Sequence, residues 1–443
     1  MEPNLKSPAG TLPLGTTSPV REGANRIVFC DVLRGLASLL VFLTHWSYLL
    51  VSSRAQFLSD HSKIAIEAEL PSLTNTVLDK VAEFVQASMA LTPVTKFPWA
   101  PGGVMLFFLV SGFLMPSALK SGGGRFLVGR AFRVLPVLWV VFGASLLLYH
   151  SLVASGTVLE IPFTEQQIIT NFLLVNDLAW QPFIEAGVWT LVVEVKFYLL
   201  LWFALLIFQR VEPPQIMIIA LFLVIMQIGF ASSDGQNLYQ HLFEVLSPAG
   251  LGGVYFFVRV LNENIPFIIF ILCGSIVWFL WSGKLKFAQA FVYVACLMWM
   301  FVVTHLCSPI GKLQPSYIGV AFQVLACFCL AAGAETCVRR GWLGGPSIAR
   351  WLAPVARRPV RFFANVSYPL YLLHGSALGW PVLILMVNAL KDPALVMAVA
   401  VPSVFAIAWL LHKFVEVPAI SLGRDLQRLY LDRASRSVEL QPS

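Results

Sequence analysis

Along the chain, runs of about 20 apolar residues alternate with short polar stretches, and a helical run of that length crosses ~30 Å of hydrocarbon. Ten such runs are predicted as spans: 27–51, 101–119, 131–153, 188–208, 215–231, 264–282, 287–306, 315–337, 362–389 and 394–416. The pattern predicts an all-α, polytopic transmembrane helical bundle. The fifth run is the weakest. The stretch 241–260 reads as a re-entrant or interfacial segment, or as an eleventh span that would invert everything after it.

Between the first two runs lies a long polar stretch, 52–100. Within it Leu73, Val77, Val81, Phe84 and Val85 recur at helical spacing, with Asp79, Lys80 and Glu83 between them. That spacing predicts an amphipathic helix, either packed over the bundle or lying on the lipid surface. Residues 1–25 are rich in Pro, Gly, Ser and Thr and lack the apolar region of a signal peptide, so they read as a disordered tail. Residues 26–420 form the membrane domain, and 421–443, polar and basic, read as a short solvated tail.

Composition agrees with a bilayer as the main solvent. Hydrophobic residues make up 58% of the 443 and charged residues 12%, against roughly 25% charged in soluble chains. The seven cysteines lie mostly inside apolar runs, without metal-ligand spacing, and read as packing residues. Basic residues accumulate in short cytoplasmic loops. With the N-terminus inside, about 21 of the 30 Lys and Arg fall on the inner side, among them Lys120, Arg125, Arg130, Arg133, Lys284, Lys286, Arg339 and Arg340. Loop 155–187 carries only acidic charges, as an outward loop can. Ten spans with both termini cytoplasmic are self-consistent. The net charge of +7 is largely this topological bias, and the chain shows no basic stripe with interleaved aromatics to suggest nucleic acid.

Ionisable residues inside apolar spans are costly to place and usually line a polar cavity. The first span holds two, Arg34 and His45. Eleven residues at about 100° each return to within ~20° of the same helix face, with a rise of ~16 Å. They share a face at different depths. Arg34 alone reads equally as a snorkelling interfacial arginine, and His45 alone as an interhelical hydrogen-bonding group; the pairing favours function. In the fourth span Glu194 lies about six residues from the outer end, the same ~9 Å depth as His45 in the first. A carboxylate that orients an imidazole makes a better general base. The competing partner for Glu194, Lys196, lies at i+2 and faces elsewhere.

Arg130 and Arg133, at i and i+3, can face one anion together, and guanidinium groups suit phosphate oxygens. Simple positive-inside charge explains Arg130 as well. Ser111 and Gly112 read as a close-packing site of small residues rather than as a nucleophile, because no base accompanies Ser111 in sequence. Tyr368, Tyr371 and His374 either line a channel or make interhelical hydrogen bonds. His412 and Glu416, at i and i+4, read as a helix-end pair, since further ligands would be needed for a metal.

The run Asp31, Leu33, Arg34, Gly35, Leu36, Ala37 followed by His45 resembles the signature of the membrane-bound acyltransferase family 3, the O-acetyltransferase family. It is joined, in family order, by GGVMLFFLVSGFLM (102–115), FLVGRAFRVLPVLW (126–139), VWTLVVEVKFYLLL (188–201), VSYPLYLLH (366–374) and HKFVEVPAISLGRDL (412–426). The chain departs from the family pattern at Gly129, where an arginine is common, and at Thr190, where serine is usual. The resemblance implies the acyltransferase-only branch, without the soluble esterase-like domain fused to some relatives.

The resemblance implies transfer of an acyl group, usually acetyl, from cytosolic acetyl-CoA or another acyl-CoA to a hydroxyl of a glycan or glycolipid at the outer face of the inner (plasma) membrane. Other envelope polysaccharide biosynthesis proteins are then candidate partners. Arg34, Arg130 and Arg133 would hold the CoA phosphates. His45, oriented by Glu194, would be the general base, with Tyr371 and His374 lining the channel. A thioester is already activated, so this route calls for no metal. The alternative class is a transporter or flippase of a lipid-linked or polar solute, although the two halves show no matching pair of broken helices. Acceptor and oligomeric state stay open. The charge asymmetry gives a direct expectation: a cysteine placed at position 350 escapes membrane-impermeant thiol reagents in intact cells and reacts only after permeabilisation.

Overall fold

A computed structural model describes residues 27–47, 98–179, 181–231, 252–308, 316–339, 346–375 and 378–439. The amphipathic helix expected within 73–85, the tail 1–25 and residues 241–251 of the stretch 241–260 lie outside them. The described residues form an all-α bundle. In chain order its helices are α1 (Val28–Ser47), α2 (Trp99–Ala118), α3 (Gly123–Ala154), α4 (Glu165–Phe172), α5 (Trp189–Phe208), α6 (Pro213–Ala231) and α7 (Gly252–Trp281). They are followed by α8 (Phe287–Cys307), α9 (Ser316–Arg339), α10 (Pro346–Leu373), α11 (Gly379–Leu390), α12 (Pro393–Leu411) and α13 (Val417–Glu439). Among the described residues eight helices are long and apolar enough to cross a membrane; α6 and α11 are shorter apolar helices. The protein is a multi-pass membrane protein.

Backbone contact between small residues sets the packing. A side chain added at Gly112 of α2 would meet the Ile271 carbonyl oxygen of α7 at 1.8 Å, and one at Gly274 of α7 would meet the Leu109 carbonyl oxygen at 2.3 Å. The Ser275 hydroxyl donates to the Gly112 carbonyl across the same seam at 2.8 Å. Gly103 brings α2 close to α1, where a side chain would meet the Ala37 carbonyl oxygen at 2.6 Å, and Gly35 brings α1 against Phe363 of α10. In lipid, where apolar surface gains nothing by leaving water, such close approach supplies much of the association energy. At the start of α1 the Phe29 amide donates to the Glu335 carboxylate of α9 at 2.6 Å, satisfying an otherwise orphaned helix-end donor.

Two apolar clusters result. One joins α2, α7, α8 and α9 through residues such as Phe113, Phe270, Phe301 and Phe328. The other joins α3, α10, α11 and α12 through Val137, Phe142, Leu372, Trp380 and Val404. α1 contributes to both, with Phe29 on one side and Phe42 on the other.

Three expectations change. The ninth span, 362–389, is not continuous: α10 ends at Leu373 and α11 begins at Gly379. Glycines permit the break, since a side chain at Gly375 would strike the Glu185 carboxylate at 1.8 Å and one at Gly379 the Leu373 carbonyl at 2.4 Å. The loop expected over 339–361 is helical from Pro346 onward, as the first turns of α10. The polar segment after Gly423, expected as a solvated tail, continues as α13, and Gly423 and Gln427 lie against Phe132 and Gly129 of α3. Residues 252–260 begin α7 and form no span of their own.

Gly274→Val is expected to lower stability by about 1–3 kcal/mol or more through overpacking against backbone. Gly143→Ala, at a position with open space around it, should leave the thermal melting of detergent-solubilised protein unchanged or slightly raised.

Candidate functional site

At the seam between the two clusters is a cavity of about 90 Å³, walled by α1, α2, α3, α5 and α10. Its polar groups are ordered along the bundle. Arg34, Arg130 and Arg133 lie toward the end that carries the start of α1, while Thr190 and Tyr371 lie toward the opposite end. Ser111, Glu194, Tyr198 and Tyr368 stand between them. Apolar side chains of Val104, Phe107, Phe108, Leu114 and Leu191 complete the wall.

The arginines come from different elements. Arg34 reaches across from α1, its guanidinium 3.5 Å from the Ser367 hydroxyl of α10. Arg130 lies with its guanidinium carbon 5.5 Å from the Tyr198 ring and 5.8 Å from the Phe126 ring, so aromatic faces as well as charge position it. Arg130 and Arg133 also wall a second space of about 270 Å³, bounded by Ser117, Phe126, Ile420 and Gln427. The two arginines therefore stand between a surface vestibule and the inner cavity. Glu416 of the π-helical turn His412–Glu416 is buried and bonded to the His412 imidazole at 2.8 Å. That matches the expected helix-end pair. It also brings the carboxylate into electrostatic range of Arg34.

The Ser111 hydroxyl donates to the Glu194 carboxylate. Gly112 is locked against α7, so its neighbour Ser111, about 100° around the helix, is turned to α5. Of the two residues read as a packing pair, Gly112 does the packing and Ser111 faces the cavity. No sequence signal paired it with a carboxylate 83 residues away. Lys196 does not pair with Glu194; it pairs with Asp177 of the loop before α5. Tyr371 donates to the Gly187 carbonyl at 2.9 Å and lies 3.0 Å from the Thr190 hydroxyl, and Tyr368 donates to the Val134 carbonyl at 2.6 Å.

His45 lies beyond the cavity. Its Nδ1 is 2.9 Å from the Val41 carbonyl oxygen and 3.2 Å from Nε2 of His374, the residue that follows α10. A carbonyl only accepts, so Nδ1 carries the proton and Nε2 is left with its lone pair. The two imidazoles are 5.0 Å apart, and His374 stands 5.4 Å from the Tyr371 ring at the cavity edge. Trp46 holds the His374 carbonyl through its indole N–H at 3.1 Å. His45 and Glu194 are thus not joined as equal depth suggested. Depth along two helix axes leaves azimuth free: His45 turns to α10, and Glu194 turns to α2. Among the described residues no group of three or more His, Cys, Asp or Glu could hold a metal ion.

A multi-pass helical bundle with an arginine-walled cavity and a histidine pair beyond one end suits chemistry performed across a membrane. Residues 27–413 match the model of the acyltransferase-3 family, described as an acyltransferase domain, and the chain belongs to that family. Nodulation protein 10 of Rhizobium leguminosarum bv. viciae is 29% identical over 134 residues, covering 27% of this chain and 36% of the relative. The matched segment is thus about a third of that relative's length. No solved structure matches significantly.

Proposed function

We propose that the protein is an integral membrane O-acyltransferase that moves an acyl group, acetyl in the first instance, from cytosolic acyl-CoA to a hydroxyl of a glycan or glycolipid at the outer face of the inner membrane. The observation that carries the reading is a single polar track from Arg130 and Arg133, through the cavity, to the His374 and His45 rings. The family match supports an enzyme over a transporter. Envelope glycan biosynthesis proteins would supply the acceptor.

In this mechanism Arg34, Arg130 and Arg133 hold the CoA phosphates by charge-assisted hydrogen bonds. The pantetheine arm runs through the cavity toward Tyr371 and His374. Nε2 of His45 takes the proton of the acceptor hydroxyl while its oxygen bonds to the thioester carbonyl carbon. The C–S bond breaks, and CoA departs as a thiolate that is then protonated. His374 shares the Nδ1 proton of His45 and steadies the imidazolium formed in the step. Glu194 acts through Ser111 and Tyr198 within the cavity rather than through His45.

The bond between Ser111 and Glu194 favours one second reading, a covalent acyl-Ser111 intermediate with Glu194 as its base. Removing a phosphate contact should weaken donor binding: Arg133→Ala is expected to lose about 1.5–3 kcal/mol of CoA affinity by calorimetry, and affinity equal to wild type sinks the donor assignment.

For the chemical step, His45→Ala protein that still binds CoA should transfer acyl groups in membranes about 10²- to 10⁴-fold more slowly. Near-normal transfer leaves His45 a packing residue. Under the direct route intact-protein mass spectrometry of His45→Ala with acetyl-CoA shows no added acetyl; a stable adduct on Ser111 would instead establish the covalent route.

A further inference from the structure

A separate cavity of about 520 Å³ opens between the ends of α2, α5 and α7, on the side predicted to face the cytosol. It shares no residue with the arginine-walled cavity. Three cations border it, Lys120, Arg210 and Lys284, against one carboxylate, Glu212. Among the described residues none of the three forms an ion pair.

Cations at helix C-termini are ordinary, because they offset the exposed carbonyls there. Two of these, however, bend back over one indole. Lys120 places its ammonium 5.3 Å from the centre of the Trp278 ring, and Lys284 places its own 5.6 Å from the same centre. The backbone enforces this arrangement. Gly283 adopts φ +76° after the end of α7, and the Lys284 amide then donates to the Phe279 carbonyl at 2.9 Å, folding the chain back over α7. Gln209, at φ +59°, likewise ends α5 and leaves Arg210 at the rim. Trp278 is buried, whereas Leu206 in the cavity wall is exposed. Like charges gathered on an apolar floor, next to an exposed leucine of a membrane-spanning helix, create a strong site for an anion that has an apolar portion. Basic pockets between transmembrane helices at the cytoplasmic face bind anionic lipid headgroups by this chemistry.

We infer that this cavity binds the headgroup phosphate of an anionic phospholipid of the inner leaflet, with the acyl chains running along Leu206. The ligand fixes the relative position of the ends of α2, α5 and α7 and neutralises the converging cations.

The test is titration of the detergent-purified full chain with short-chain phosphatidylglycerol, followed by native mass spectrometry and thermal melting. Phosphatidylglycerol should bind and raise the melting temperature, and phosphatidylcholine should do neither. A Lys120→Gln, Arg210→Gln, Lys284→Gln triple variant should bind phosphatidylglycerol about tenfold or more weakly. A triple variant that removes the same charge at Arg424, Arg428 and Lys391 should bind as wild type does. Glu212→Gln, which removes the lone acid and leaves the cations in place, should bind more tightly and keeps the proposal testable if the triple variant does not fold. Equal affinity in a folded cavity triple variant overturns the proposal, and where that variant does not fold, equal affinity in the wild type and Glu212→Gln overturns it. So does equal binding of phosphatidylcholine. If millimolar inorganic phosphate alone protects the wild type as well as the lipid does, the site takes free phosphate and the lipid assignment falls. It falls also if CoA protection, and not phosphatidylglycerol binding, is lost in the cavity triple variant.

Discussion

The backbone contact of α2 with α7 is the constraint on which the rest of the structure depends. Gly112 and Gly274 allow main chain to meet main chain, and in a bilayer that approach cannot be replaced by burying more leucine. Once Gly112 is held, the rotation of α2 is set, and Ser111 must face α5. The cavity forms where that rotation leaves Phe107, Ser111 and Leu114 opposite Glu194, Tyr198 and the arginines of α1 and α3.

A second constraint acts at the other end of the bundle. An unbroken helix from 362 to 389 would carry its polar side chains past the layer where α1 presents His45. Gly375 and Gly379 instead let α10 stop beside the buried Glu185 carboxylate, and α11 begins at Gly379. The stop places His374 against His45 and under the Trp46 indole. Broken helices in membranes are tolerated where protein or a polar cavity satisfies the freed backbone groups, and here Trp46 takes the His374 carbonyl.

Charge is distributed by the same logic. Lys196, deep in α5, is matched by Asp177 from the preceding loop, which ties that loop to the bundle. Glu416, turned inward by a π-helical turn, lies within electrostatic reach of Arg34. Such turns are frequent at functional sites because one extra residue re-aims a side chain without ending the helix. Arg34 and the α3 pair converge on one cavity while their carboxylate counterparts are fewer, which is the basis of the proposed donor assignment. The exposed cations at the ends of α2 and α7, Lys120 and Lys284, converge in a similar way on the Trp278 ring.

Much of this architecture was legible in the residues alone. The apolar runs determined a helical membrane bundle, because only helices or closed barrels satisfy the backbone in lipid, and the spacing of Arg34 and His45 placed both on one face of α1. The arginines at 130 and 133, three residues apart, were legible as a pair on one helix face for the same geometric reason, and they wall the same two spaces. The partner of each polar group was decided only by the tertiary structure. Helical periodicity reports depth and relative face within one helix, yet the rotation of a helix against its neighbours is set by contacts distant in sequence. Glu194 therefore met Ser111 and not His45, and His45 met His374. The break before α11 and the docking of α13 on α3 depend on glycines at 375, 379, 129 and 423, whose importance appears only when the facing atoms are known. A glycine has no side chain to display a pattern.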